Sequence, residues 1–275
     1  MGSYTRGRPG GGAGCASIAE NALAAAGQGG DVGEGLRVAL VFLTRLPVGL
    51  GQRPPSLAEA SPWFAVVGAL LGLAAGLLFA GLSYAGMPSF PASLVVLAFL
   101  VIATGALHED GLADCADALG PHDRAKRLEV MRDSRIGSFG AMALILVTLA
   151  RVAGLSSLWH PADQVATLVV VLALSRGLLV PTMAVLSFAR PDGLAARSGH
   201  PDKLSIALAL AIPALLAFAL LPPDRALKLL AVGVVVAIAW AWFAQRAYGG
   251  QTGDVLGAQQ QLVEAALLLS LTVKP

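Results

Sequence analysis

Charge is what this 275-residue chain has least of: Asp, Glu, Lys and Arg make up 13% of it, while 56% is hydrophobic and the mean hydropathy is +0.72. Soluble domains carry about 25% charged residues, so that class is excluded and an all-α, polytopic integral membrane bundle is expected. Cysteine is nearly missing. Cys15 stands in a loose N-terminal stretch and Cys115 among carboxylates, so no disulfide framework is implied, and Cys115 reads as a reduced packing thiol. The net charge of +2 comes without a basic cluster or a nucleic-acid motif, and no nucleic-acid partner is expected. Residues 1–33 lack apolar periodicity and the apolar core of a secretory signal. They read as a disordered glycine-rich tail ahead of a single transmembrane catalytic domain, 34–275.

The long uncharged runs give the membrane map. Residues 36–47 are apolar but too short to span, and Arg37 and Arg45 are placed to snorkel, which suggests an interfacial helix. Pro62 to Gly86 is free of charge, and Gly68, Gly72 and Gly76 repeat every four residues as a helix-packing face. Further spans are expected at 91–107, 136–159, 164–189, 204–221, 227–244 and 255–273, seven in all. The fourth carries Arg176 and Pro181 and could be two half-helices. Lys and Arg number five up to residue 61, five in 108–135, three in 190–203 and one in 245–254, against three in the opposite connections. That bias predicts a cytoplasmic N-terminus and a C-terminus outside, with Asp110, Asp114, Asp117, Asp133, Asp192, Asp202 and Asp254 all on the cytoplasmic face.

Residues 108–140, HEDGLADCADALGPHDRAKRLEVMRDSRIGSFG, hold seven of the seventeen carboxylates. On a helix, Asp110, Asp114 and Asp117 share an arc of about 60°. A single i, i+4 pair would read as a cap or a solvated face. Three in register are stable mainly around a cation, and hard oxygen donors without a Cys or His pattern suit Mg²⁺, Mn²⁺ or Ca²⁺. Asp133, Gly137 and Gly140 repeat at i, i+4, i+7, which would put an acid and two bare backbone positions on one face of a second helix. His108 reads as a helix-end hydrogen bonder, and Glu109, about 100° off the aspartate face, as a supporting or solvated residue. Arg135 is singled out for its place in the Asp133 motif; the other arginines of this loop read as topology determinants.

Two more polar stretches fall on the same side. Residues 188–203 offer Arg190, Asp192 and His200 on a connector. Residues 249–265, GGQTGDVLGAQQQLVEA, combine glycines for close backbone approach, a capping Asp254, and Gln261 and Glu264 inside an apolar span. Buried Glu264 needs a partner, which Arg176 or Arg151 can supply. Carboxylates collected at one membrane face suit an enzyme acting on soluble phosphorylated substrates better than an ion-coupled transporter, whose acids sit at midplane. Phosphoryl or nucleotidyl transfer fits best, with Mg²⁺ on a pyrophosphate.

HEDGLADCADALG at 108–120, MRDSRIGSFG at 131–140, FLTRLPVG at 42–49, ARPDGLA at 189–195 and GGQTGDVLGA at 249–258 together resemble the adenosylcobinamide-GDP ribazoletransferase, or cobalamin-5′-phosphate synthase, family over roughly residues 36–272. The resemblance implies that α-ribazole or its 5′-phosphate displaces GMP from adenosylcobinamide-GDP with Mg²⁺ at the bacterial inner membrane. It further implies that Asp110, Asp114 and Asp117 hold the metal. Asp133 would complete the site or draw the proton from the attacking hydroxyl, with Asp117 and Arg135 also catalytic. His108, Arg190, Asp192, Asp254 and Glu264 are expected to bind substrate. Ala118, Leu119 and Pro121 depart from the glycines usual in the family after the third aspartate. A looser likeness to CDP-alcohol phosphotransferases lacks the later part of their motif; that activity and an ion-coupled transporter stand as alternatives.

Overall fold

The structure, a computed structural model, describes residues 32–52, 54–158, 160–190, 196 and 198–273. The glycine-rich segment before residue 32 and the expected site residue Asp192 lie outside the described residues. The described residues are helical throughout apart from turns, loops and one isolated bridge between Phe188 and Gln251. In chain order the helices are α1 (Val32–Leu43), α2 (Leu57–Ala60), α3 (Phe64–Tyr84), α4 (Ser89–Thr104), α5 (Leu107–Asp117), α6 (Arg124–Val130), α7 (Ser138–Ser156), α8 (Pro161–Gly177), α9 (Leu179–Val185), α10 (Lys203–Leu220), α11 (Pro223–Ala247) and α12 (Gly253–Ser270). Prolines open several of them where a missing N–H is harmless, as at Pro161 and Pro223.

Among the described residues, five helical segments are long and apolar enough to cross a membrane, six if α4 and α5, bent by 90°, count as one. Five of the seven expected spans match such helices; α4 passes only together with α5, and α12 falls short of that apolarity because it carries Asp254, Gln259, Gln260, Gln261 and Glu264. It is covered by protein instead: most of α12 is buried, including all three glutamines and Glu264. The most apolar 18 residues of segment 161–185, which runs through Arg176 and Pro181, are likewise 83% buried, whereas those of α10 and α11 are 22% buried and form the outer wall. Polar residues have been placed where the lipid is not.

The Gly68, Gly72 and Gly76 stripe works as its spacing predicts. Cβ atoms at Gly68 and Gly72 would collide with the carbonyls of Leu172 and Leu168 on α8, so the two backbones touch without side chains between them. At the N-terminus, the helix expected at 36–47 is shifted: α1 begins at Val32 and stops at Leu43. Beyond it Arg45 donates its backbone N–H to Ala103 O at 2.8 Å and lays its side chain across Gly105, where α4 ends.

Chain delivery into the acidic segment is not straight. Gly105 (φ 67°) and Ala106 (φ 59°) are both left-handed, and they turn α5 by 90° from α4. A small second core lies beneath α5, made of Leu112, Cys115, Met131, Tyr248 and Val255 among others, and separate from the main apolar core of the bundle.

Candidate active site at one end of the bundle

Two glycines set the position of α5. A Cβ on Gly111 would lie 2.7 Å from the carbonyl oxygen of Asp254 and 2.9 Å from its Cα, and one on Gly257 would lie 3.3 Å from the His108 Cα. The two backbones are therefore in contact, and the start of α12 sits against the middle of α5. This brings Asp254 beside the Asp110 and Asp114 motif. Asp110 is exposed, while Asp114 and Asp254 are half-buried. Burial first, then the charges of Asp110, Asp254 and Asp117, push the Asp114 carboxyl up to about 7, with Arg190 opposing.

Asp117 is differently occupied. One carboxylate oxygen accepts the backbone N–H of Gly137 at 2.7 Å and the other that of Gly140 at 2.8 Å. Gly137 is the N-cap of α7, so Asp117 sits where that helix's free amides and dipole favour an anion. A Cβ at either glycine would collide with the carboxylate, which is why both positions are bare.

The expectation that Asp133, Gly137 and Gly140 share a helical face is not met, because α7 begins at Ser138 and Asp133 precedes it in a loop. There the carboxylate is gripped by Arg135: Oδ1 accepts the backbone N–H at 3.1 Å and Nε at 3.0 Å, and Oδ2 accepts Nη2 at 2.6 Å. Those bonds hold Asp133 down to about 2. The Arg135 side chain is 86% exposed.

Arg190 donates Nη2 to Leu128 O at 2.6 Å, and its charge acts on both Asp114 and Asp254. His108 does stand in the first turn of α5, but it is not a hydrogen bonder: it is 2% exposed, and neither ring nitrogen has a hydrogen-bond partner among the described residues. Glu264 lies ten residues further along α12 than Asp254, roughly 15 Å deeper into the bundle. Both candidate partners hold it there, Arg151 Nη2 at 2.6 Å from one carboxylate oxygen and Arg176 on the other. Glu109, read from sequence as a supporting or solvated residue, joins the same interior network. Its Oε1 accepts Arg151 Nη1 and Gln261 Nε2, each at 3.0 Å.

Other roles were invisible in the sequence. Arg124 Nε donates to Tyr248 O at 2.8 Å and Arg127 Nη1 to Ala247 O at 3.2 Å, so two arginines of α6 close the C-terminus of α11. Gln251 Nε2 donates to the carbonyls of Met183 and Leu186 at 2.8 Å each, locking the 249–252 turn onto the end of α9. The GGQTG motif was the available signal: Gly249 (φ 81°) and Gly250 (φ 148°) are both in backbone states that favour glycine.

The donors at this end are hard carboxylate oxygens with mutually repelling charges, which fit a divalent cation such as Mg²⁺. Among the described residues, no three acidic, His or Cys side chains are yet gathered around one point as a metal site.

The chain is 39% identical over 255 residues to an adenosylcobinamide-GDP ribazoletransferase of Azorhizobium caulinodans, covering 88% of this chain and 95% of that one. It is 42% identical over 236 residues to the Mesorhizobium japonicum enzyme of that name, and 40% over 238 residues to that of Bradyrhizobium diazoefficiens, each covering 85% of this chain and 91% of the relative. No solved structure matches. Residues 35–272, nearly all of the described helices, match the cobalamin-5-phosphate synthase family, and the chain belongs to it.

Proposed function

We propose that this protein joins α-ribazole, or its 5′-phosphate, to adenosylcobinamide-GDP with release of GMP, the last assembly step of the cobalamin nucleotide loop. The observation that carries this reading is the meeting of Asp110 and Asp114 with Asp254 and Arg190 at one end of a membrane bundle, where a soluble pyrophosphate can arrive. Mg²⁺ would be held by Asp110, Asp114 and Asp117, with Asp254 beside them. Asp117 keeps acceptor capacity because each carboxylate oxygen offers more than the one site its amide bond uses. Bound there, the ion would neutralise charge on the pyrophosphate.

The side chains supply the rest. Arg190 lies near enough to Asp114 and Asp254 to bind a phosphate oxygen over the carboxylates. Exposed Arg135 is free to swing from Asp133 to the pyrophosphate, and that exchange raises the basicity of Asp133 so that it takes the proton of the attacking ribose hydroxyl. The hydroxyl oxygen bonds to the cobinamide-side phosphorus, the bond to the bridging oxygen breaks, and GMP leaves with that oxygen. We place the site end at the cytoplasmic face of the bacterial inner membrane.

Purified protein in liposomes, given adenosylcobinamide-GDP, α-ribazole and Mg²⁺, should release GMP and form the nucleotide-loop product in equal amounts. Asp110→Asn and Asp114→Asn should each lower turnover by at least about a hundredfold, the scale of losing one preorganised electrostatic contact. Wild-type protein that releases no GMP, or that instead consumes a CDP-alcohol, would overturn the reading.

A further inference from the structure

We propose that Glu109, Arg151 and Gln261 are positioning residues for the reaction, an anchor inside the bundle that sets where α5 presents Asp110 and Asp114. The inference rests on the function proposed above but concerns residues that neither contact the phosphate site nor belong to the aspartate face.

α5 is 11 residues long, about 16 Å, and its two halves are held differently. The C-terminal half is tied by the Asp117 carboxylate to Gly137 and Gly140, and by the Tyr248 hydroxyl, which donates to Cys115 O at 2.8 Å. The N-terminal half carries Asp110, with Asp114 just beyond it, and hangs from the Gly105–Ala106 bend. That bend is closed by Gly105 N–H on Ile102 O at 3.3 Å and Ala106 N–H on Val101 O at 2.9 Å, but a left-handed Ala106 is disfavoured by its own Cβ, and neither bond reaches the body of α5. The glycine contact with α12 sets how closely the two backbones approach, but it makes no directional bond of its own. Among the described residues, Glu109 is the one side chain in this half that makes a hydrogen bond.

What Glu109 grips is rigid. Arg151 is 3% exposed, and its Nη1 bridges Glu109 and Gln261, at 3.0 and 2.9 Å, while its Nη2 meets Glu264. Glu264 is completed by Arg176 on α8 and by Gln260 one turn back on α12. Two glutamates and two arginines balance in charge, and Glu109's partners in the network are drawn from α7, α8 and α12. Buried ionic groups of this kind are poor sources of stability and are best used to specify register. Since Glu109 and Asp110 are about 100° apart on the helix, holding Glu109 inward turns Asp110 and Asp114 toward the start of α12 and Asp254.

Misplacing reacting groups by 1 Å costs about a hundredfold in rate, which sets the expected effect. In liposomes, Glu109→Ala should lower kcat about a hundredfold with KM for adenosylcobinamide-GDP changed less than about threefold. Glu109→Gln should stay within about fivefold of wild type, because a carboxamide oxygen accepts the same two donors. Glu109→Ala leaves Arg151 short of one counter-charge and can fail to fold, so the charge-balanced Glu109→Ala/Arg151→Leu variant is the second test. It should reach the membrane in normal amount, lose kcat like Glu109→Ala, and bind Mn²⁺ at least about tenfold more weakly when titrated without nucleotide and followed by electron paramagnetic resonance. Wild-type kcat and Mn²⁺ binding in the double variant would overturn the proposal, as would a loss confined to the amount of folded protein. Glu109→Gln as inactive as Glu109→Ala would also overturn it, since the charge itself would then be acting. If wild-type protein released no GMP, the functional reading would fail first, and the Mn²⁺ titration would still decide the anchor.

Discussion

At the scale of single residues, the aspartates of α5 divide by what already satisfies them. Asp114 has like charges around it, whereas Asp117 has two backbone amides. Neutralising each should therefore act oppositely on stability. Asp114→Asn removes repulsion and should raise the thermal midpoint in detergent slightly while abolishing turnover. Asp117→Asn loses one of two charge-assisted bonds at the α7 N-terminus, worth about 1–2 kcal/mol, and should lower both midpoint and turnover. Equal destabilisation by the two would mean that Asp117 is not acting as a cap. The two functions of a carboxylate, ligand and cap, cannot be separated by spacing alone: a helical wheel put the three aspartates on one arc, and only the packing of Gly137 and Gly140 shows which is capped. The wheel left Glu109 between support and solvent because it allowed α5 one polar face, and the helix has two, turned toward different partners. Glu264 was legible, since its cost in an apolar span demands an arginine.

For whole elements, the apolar runs translated into helices because uncharged stretches of about 20 residues have few other ways to satisfy their backbone in lipid. What they could not reveal was which helices lie inside. α12 is the most polar of the long helices and also among the most buried, and its place became visible only through its contacts with α5, α7 and α11. The α4–α5 bend and the non-helical setting of Asp133 were also hidden, as both depend on left-handed or extended residues that side-chain periodicity does not report. Glycine spacing, by contrast, was reliable on α3. Gly72→Ala would drive a methyl group into Leu168 O, while Gly81 on the same helix has open space. Overpacking of that kind costs about 1–3 kcal/mol, and an unhindered helical Gly→Ala gains up to about 1 kcal/mol. Thermal scans in one detergent should show Gly72→Ala below wild type and Gly81→Ala at or above it; a reversed order would remove the α3–α8 backbone contact from the account.

Across the whole molecule, the helices define two ends, and their cross-links keep them apart. One end joins Ser83 to Gln164 at 3.0 Å, Arg225 to Asp163 at 3.6 Å and Lys228 to Val273 O at 2.8 Å. The other joins Asp117 to Gly137, Arg190 to Leu128, Arg124 to Tyr248 and Gln251 to Leu186. The basic residues divide the same way. Arg124, Lys126, Arg127, Arg132, Arg135, Arg190 and Arg246 belong to the second end, and only Arg225 and Lys228 among the described basic residues lie at the first. Loops rich in Lys and Arg stay on the cytoplasmic side, so the aspartate end should face the cytoplasm, where nucleotide substrates are made. Reporter fusions after residues 120 and 250 should be active only as cytoplasmic reporters, and fusions after 86 and 222 only as external ones. Fusions at 120 and 250 reporting opposite sides would place Asp117 and Asp254 across the membrane from each other, and no single site could then contain both.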